Sequence, residues 1–340
     1  MNPTILPIDQ AKSPFFAGVD VGGTNIKIGM VDDDGRPVAK TSVATQEELG
    51  PEDAMGRVGV ALFELIDNLQ LDLSLLEAVG LGTPGPIDVS NGIILTPGNM
   101  PHWHHYPICQ QLTQLTGKPV AYTNDANAAA FGEFWIGGGR NYRSIALLTL
   151  GTGIGGGIIV DEMLIEGENY LGAECGHMII DYNSDARACS CGGKGHLEAY
   201  TSATAVVRRA EEALAAGGSS SLSVRLAAGE QLSTFMLYEE ASRHDEFSLE
   251  IILETARYLG VGVVNMMHIL DPGAVILAGA MDFGGHSAEV GSRFIEEVRA
   301  EVKRRAFPEL SERTVVDFAS LGGDAGYIGA AGMARKSTLN

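Results

Sequence analysis

Two periodicities divide the chain. Short apolar runs bounded by glycine and proline alternate with longer stretches whose apolar positions recur every three or four residues, the pattern of strands set between helices. Phe15 to Val21 and Ile26 to Val31 read as buried strands joined by Gly22-Gly23-Thr24-Asn25, and Asp32-Asp33-Asp34-Gly35 turns the chain into a third strand near Val38 to Thr45. Such hairpins predict an antiparallel start. Glu52 to Leu69 has helical spacing, with Val58, Leu62 and Leu65 on one face. Ala78 to Gly82 returns as a strand before Thr83-Pro84-Gly85-Pro86, where regular structure must stop. Thr96 to Trp103 is a polar and aromatic loop, Pro119 to Tyr122 a strand, and Ala126 to Trp135 an Ala-rich helix that begins straight after Asn124-Asp125. Gly137-Gly138-Gly139 closes a first lobe.

The second lobe opens as the first does. A strand from Ser144 to Leu150, a glycine turn at 151–157 and a second strand to Val160 form an internal echo that suggests a duplicated half. Ser202 to Ala216 is an amphipathic helix with Thr201 or Ser202 as its N-cap, and Gly217 to Ser221 is a flexible link. Leu249 to Leu270 is a long helix in which Gly260 and Gly262 permit close packing. Ala274 to Ala278 is a strand ending in Gly279-Ala280, Ser287 to Arg305 a helix with basic last turns, and Val315 to Phe318 a final strand before a small-residue helix over Asp324 to Ala334. The expected division is 15–138 and 139–321, with a helix at 322–336 packing back on the first lobe.

Composition narrows the function. With 43 acidic against 23 basic residues and a net charge of −20, the chain should repel nucleic acid and anionic lipid, so a small ligand needs a local site. Apolar runs such as Ala274 to Met281 fall far short of the ~20 residues of a membrane helix. Met1 to Pro14 has no basic cluster followed by an apolar core, so a cytoplasmic protein without membrane partners is expected. Four cysteines in 340 residues make no disulfide framework, and in a reduced compartment close cysteine spacing points to metal.

Three groups of residues can carry chemistry. His177, Cys189, Cys191 and His196 can form a four-coordinate metal site, flanked by Glu174 and Glu198 as acids able to hold something polar. Asp20-Val-Gly-Gly-Thr24 and Gly151-Thr-Gly-Ile-Gly155 place glycines between strands, where backbone N–H groups can reach phosphate oxygens; for each the plain alternative is a tight hairpin needing positive φ. Gly151, Gly153 and Gly156 spell G-x-G-x-x-G, but Ile158-Ile159-Val160 continues as strand where a dinucleotide fold requires a helix, and no Walker A motif occurs. Asp125, at a strand-to-helix junction, is either an N-cap or a general base whose ionised form the helix N-terminus favours.

Asp20-Val-Gly-Gly-Thr-Asn25, Gly82-Thr-Pro-Gly-Pro86, Asn124-Asp-Ala-Asn127, Gly151-Thr-Gly-Ile-Gly-Gly156, Glu174-Cys-Gly-His177 and the Cys-x-Cys-Gly-x-x-Gly-x-x-Glu run resemble, in order, the ROK family of bacterial sugar kinases and repressors, from about Phe16 to Ala334. The resemblance implies an α/β, two-lobed actin-like ATPase (ribonuclease H-like) fold with a nucleotide cleft between lobes. It also implies ATP and Mg²⁺, and phosphorylation of a hexose, first of all glucose to glucose 6-phosphate. By the same match Asp125 is the general base, and Asn99, Asn124, Glu174, His177 and Glu198 hydrogen-bond the hexose. Asp20 helps place Mg²⁺, while Gly22, Gly23, Thr24, Gly151, Thr152, Gly153, Gly279 and Ala280 lie at the nucleotide. A structural Zn²⁺ is expected on His177, Cys189, Cys191 and His196, with His196 standing where the family usually has a third Cys and the other ring nitrogen of His177 turned to the sugar. Cys109 and Cys175 read as ordinary buried cysteines.

The family's repressors carry an N-terminal helix-turn-helix domain, and only about fifteen residues precede the first strand here, so a kinase is expected over a sugar-sensing regulator. N-acetylmannosamine or fructose are alternative substrates, polyphosphate an alternative donor, and a homodimer or homotetramer the expected assembly. His102, Trp103, His104 and His105 either shape the pocket or form a surface loop.

Overall fold

The structure is a computed structural model that describes residues 3–98 and 100–339. Asn99, expected at the hexose, lies outside the described residues. The opening strands β1 (Phe15–Val21), β2 (Asn25–Val31) and β3 (Pro37–Ala44) pair antiparallel, as their hairpin spacing requires. Helix α1 (Gly50–Asn68) begins with Pro51 in its first turn, where no N–H is needed. Strand β4 (Leu76–Thr83) lies parallel to β1, β5 (Ile87–Asp88) and β6 (Ile93–Ile94) form a small ribbon, and α2 (Ile108–Thr116) leads to β7 (Val120–Asn124) and α3 (Asp125–Trp135). The sheet order is β3-β2-β1-β4-β7.

The second half repeats this plan. Strands β8 (Ile145–Leu150), β9 (Ile154–Val160) and β10 (Met163–Leu164) are followed by α4 (Glu198–Thr201), α5 (Ala203–Ala215), α6 (Leu222–Ala227), α7 (Thr234–Ser242) and α8 (Glu246–Leu270). Then come β11 (Ala274–Gly279), α9 (Glu289–Arg305), α10 (Pro308–Arg313), β12 (Val315–Phe318) and α11 (Ala325–Thr338). The strand order β10-β9-β8-β11-β12 matches the first sheet position for position, so the echo in the sequence is a topological repeat. Contacts divide the chain into two compact units. One runs through Tyr142 and includes Gly157–Ala173 and the chain from Ser320 on; the other comprises Arg143–Gly156 and Glu174–Ala319.

In the first unit, strand alternation sorts the sheet's two faces. Phe15, Ala17, Val19 and Val21 of β1 join Val79 and Leu81 of β4 in the core that α1 covers with Val58, Leu62 and Leu65. The intervening residues face α11: Phe16 and Ala78 pack with Tyr327, Ile328 and Ala331. A Cβ on Gly80 would sit 1.7 Å from the Ala330 carbonyl oxygen, so α11 lies on the sheet backbone to backbone. This explains the small-residue composition of α11. The carboxylate of Glu133, fully buried in α3, accepts from Gly138 N–H (2.8 Å), Leu321 N–H (2.7 Å) and the Ser320 hydroxyl (3.0 Å), tying α3 to the segment that leads into α11.

Several expectations change. Trp103 is fully buried in this core and His102 Nδ1 pairs with Glu47 at 2.8 Å, so the aromatic loop anchors to its own unit while His104 and His105 are exposed. The glycine turn expected over 151–157 is short, because Ile154 already begins β9 and Gly157 packs edge-on against Ala126 and Ala130 of α3. Ser202 caps α5 by accepting from Ala205 N–H. In the second unit Gly262 of α8 admits the Leu197 side chain, whose Cδ2 would lie 2.6 Å from a Cβ there, and Gly260 admits Glu301. Seating Leu197 beneath α8 fixes the backbone of the next residue, Glu198. Among the described residues no helix is long and apolar enough to cross a membrane.

Candidate active site

Asp20 is a consequence of the same alternation. As the next residue after Phe16 and Gly18 on the α11 face, it points at the first turn of α11, where a Cβ on Gly326 would come within 2.3 Å of its Oδ2. Half-buried there, its carboxyl is pushed up to about 6 by burial, with the Lys27 ammonium opposing the shift. Lys27 itself donates to the Gly323 carbonyl at 2.6 Å. Gly326 escaped the sequence reading, since nothing local marks which glycine of a small-residue helix meets a carboxylate.

The turn after β1 exposes Gly23 and Thr24. Its carbonyls point inward: Gly22 O accepts from the Thr45 hydroxyl (2.6 Å) and Thr24 O from Thr45 N–H (2.8 Å). The turn after β8 is built alike, with Gly151 O accepting from Ala203 N–H (2.8 Å) and Thr152 O from the Thr204 hydroxyl (3.3 Å). Gly22, Gly23, Gly151 and Gly153 all lie outside the left-handed region, so the positive-φ hairpin alternative does not explain these glycines. Gly279 does adopt φ +103°, and a Cβ there would strike the Leu150 backbone at 2.3 Å, which holds the end of β11 against the end of β8. Ala280 follows it, exposed.

At the end of β7 the two readings of Asp125 separate. Asn124 is the N-cap, its Oδ1 accepting from Asn127 N–H at 2.7 Å, and Asp125 is the first residue of α3, its Oδ1 accepting from Ala126 N–H at 2.8 Å. The unpaired donors of the first helical turn favour an ionised carboxylate at that position.

In the second unit a 3-10 turn over Cys175–His177 presents Glu174 and His177, with His177 Nε2 3.9 Å from Glu174 Oε2 and Nδ1 directed the other way, 3.8 Å from Cys189 Sγ. Backbone pairing brings the cluster together: Ile180 N–H donates to Gly195 O (2.8 Å) and Leu197 N–H to Met178 O (2.9 Å), which sets His196 beside His177. Cys191 Sγ lies 3.3 Å from His196 Nδ1, and the four candidate ligand atoms are all within 4.8 Å of one another. A tetrahedral zinc with bonds of about 2.3 Å to sulfur and 2.0 Å to nitrogen spaces its ligand atoms roughly 3.3–3.8 Å apart. The 3.3 and 3.8 Å sulfur–nitrogen pairs already have that spacing, so two thiols and two imidazoles gathered within 4.8 Å suit such an ion once the wider pairs close by up to about 1 Å. Cys175 is buried with its thiol pushed up to about 11, and half-buried Cys109 up to about 12, both by burial, as inert cysteines are.

Glu198 joins the metal cluster to the second glycine turn. Its Oε2 accepts from Ile154 N–H (3.0 Å), and its Oε1 accepts from the Ser190 hydroxyl (2.9 Å) and lies 3.7 Å from Cys189 Sγ. A Cβ on Gly153 would sit 2.6 Å from Glu198 Oε2. Both contacts were missed from sequence; Ser190, a hydroxyl placed between two candidate ligands, was the available signal.

Two sheets of identical strand order, each carrying a glycine turn between its first two strands, define an α/β protein of the actin-like ATPase fold. The chain belongs to the ROK family, whose profile matches residues 16–337. It is 35% identical to a glucokinase of Thermotoga maritima over 94% of this chain and 96% of that one. Among solved structures it is similar to a ROK hexokinase from Thermus thermophilus (30% identity, TM-score 0.79, covering 96% and 99% of the two chains). It is also similar to a ROK family glucokinase from Streptomyces griseus in complex with glucose and AMPPNP (32% identity, TM-score 0.76, covering 95% and 99%).

Proposed function

We propose that this protein phosphorylates a hexose with ATP, converting glucose to glucose 6-phosphate. The observation that carries the reading is the junction of β7 and α3, where Asn124 takes the capping duty and Asp125 stands as a carboxylate at the helix N-terminus. A base so placed takes the proton of the sugar hydroxyl as its oxygen attacks the γ-phosphorus, and ADP leaves. Asn99, Asn124, Glu174, His177 and Glu198 are assigned to the sugar hydroxyls, which each offer a donor and an acceptor. Gly22, Gly23, Thr24, Gly151, Thr152, Gly153, Gly279 and Ala280 are assigned to the nucleotide.

Mg²⁺ bound with the nucleotide would offset phosphate charge, and Asp20, ionised at neutral pH, would help hold it. His177, Cys189, Cys191 and His196 would hold a structural Zn²⁺ with no position left for water. The reaction is assigned to the cytoplasm and the working form to a homodimer or homotetramer, which light scattering would size. A coupled assay over a panel of hexoses, with ATP and with polyphosphate, tests the whole: glucose with ATP should give the highest kcat/KM, and no product with any hexose would overturn the reading.

A further inference from the structure

We propose that Ser190 is a positioning residue that aims Glu198 at the sugar and couples that acid to the metal loop; the inference rests on Glu198 being a sugar ligand. A glutamate side chain must lose several rotamers to meet a hydroxyl at a set angle, so an acid held in advance binds more tightly. Glu198 is held at three points. Leu197 is seated under Gly262, Oε2 accepts from Ile154 N–H, and Oε1 accepts from the Ser190 hydroxyl at 2.9 Å. Each carboxylate oxygen has two lone pairs, so Oε2 keeps one for a ligand, and Oε1, which also lies 3.7 Å from Cys189 Sγ, would keep one when that sulfur is a metal-bound thiolate with no proton to donate.

Of the three anchors, Ser190 is the one whose position depends on the metal loop. It lies between Cys189, whose Sγ faces His177 Nδ1, and Cys191, whose Sγ faces His196 Nδ1, and Cys189 N–H donates to Gly193 O to close the turn. Ligation of the two cysteines therefore places the hydroxyl, and the hydroxyl places Oε1. Ser190 is exposed and bears no part of the core, so its removal acts on the acid and leaves the fold intact.

The test compares Glu198→Gln, Ser190→Ala and Ser190→Thr in the full chain, reading glucose affinity by calorimetry, KM and kcat for glucose, KM for ATP, and bound zinc. Ser190→Ala should raise the glucose Kd and KM together by about three- to tenfold, the worth of one partly exposed hydrogen bond to a carboxylate. Its kcat, ATP KM and zinc content should stay near wild type, and Ser190→Thr should restore the glucose KM. If Glu198→Gln leaves glucose affinity intact, the sugar-ligand reading fails and this inference with it. If Glu198→Gln weakens glucose but Ser190→Ala does not, the inference alone is overturned. Loss of zinc from Ser190→Ala would assign its effect to the metal loop and overturn it too.

Discussion

The two glycine turns share a plan and differ in what occupies them. Each follows the central strand of its sheet, and each hides its carbonyls in the next element, Thr45 for the first and the start of α5 for the second. The first turn leaves Gly23 and Thr24 exposed, and its acid, Asp20, sits one step back on the strand, facing α11. The second turn has a carboxylate lodged against it: Glu198 takes the Ile154 N–H and occupies the space a side chain on Gly153 would need. A repeated fold thus offers the same backbone cradle twice, and a side chain from elsewhere decides what each cradle serves.

If Asp125 of the first unit carries the proton chemistry while His177 and Glu198 of the second hold the sugar, variants at these residues should separate along that line. The largest effect is expected from Asp125→Ala. Loss of a general base should lower kcat by about 10²–10⁴-fold, with glucose affinity by calorimetry within a few-fold of wild type; near wild-type turnover would reject the assignment. Metal removal should strike the other half. Chelation should weaken glucose binding by about 10–100-fold while far-UV circular dichroism still reports the folded state. Unchanged affinity with zinc shown to be absent would break the link between His177, Glu198 and the sugar.

Alanine at the two turns is the direct comparison. At Gly153 the new Cβ meets the movable end of Glu198, and at Gly22 it meets the backbone carbonyl of Asn25 at 2.9 Å. Gly153→Ala should raise the glucose KM about tenfold, as a displaced carboxylate of ~1.4 kcal/mol would, along with the ATP KM, and Gly22→Ala should raise the ATP KM alone. An unchanged glucose KM in Gly153→Ala, or a glucose KM raised as much as the ATP KM in Gly22→Ala, would erase the distinction.

The smallest effect is at Asp20, whose folded pKa of about 6 lies above its ordinary 3.8. The folded state keeps this proton to higher pH than the unfolded chain does, so stability falls as pH rises from about 4 to 6 and is level above that. Asp20→Asn should therefore gain about 1–2 kcal/mol at pH 7.5 in urea denaturation, less than the full shift because the group is partly exposed. In the wild type, kcat/KM for ATP should rise through about pH 6, and the variant should be both slower and flat there. A variant no more stable than wild type would show that the strand-to-helix packing does not burden the charge.

Much of the fold is legible in local pattern. The hairpins of β1 to β3, the β8 and β9 pair, α1, α3 and the capped start of α5 all follow from period and cap residues. Helices α2, α6, α7 and α10 lie outside that pattern, since none exceeds nine residues and so few turns show no sustained period: α2 buries Ile108 and Leu112 within a run of Gln and Thr. The metal quartet was legible as spacing, yet its convergence depends on the backbone pairing of residues 178–180 with 195–197.

By itself the sequence determined the alternation of β1, the two glycine turns, the strand-to-helix junction at Asn124-Asp125 and the set of four soft and borderline ligands, because each depends on residues close along the chain. Tertiary structure decided the rest. That Asp20 meets Gly326, that Glu198 meets Gly153 and Ser190, and that Trp103 is core depend on which surfaces become buried against each other. A carboxylate's charge state and aim are set by those neighbours, which no local pattern records.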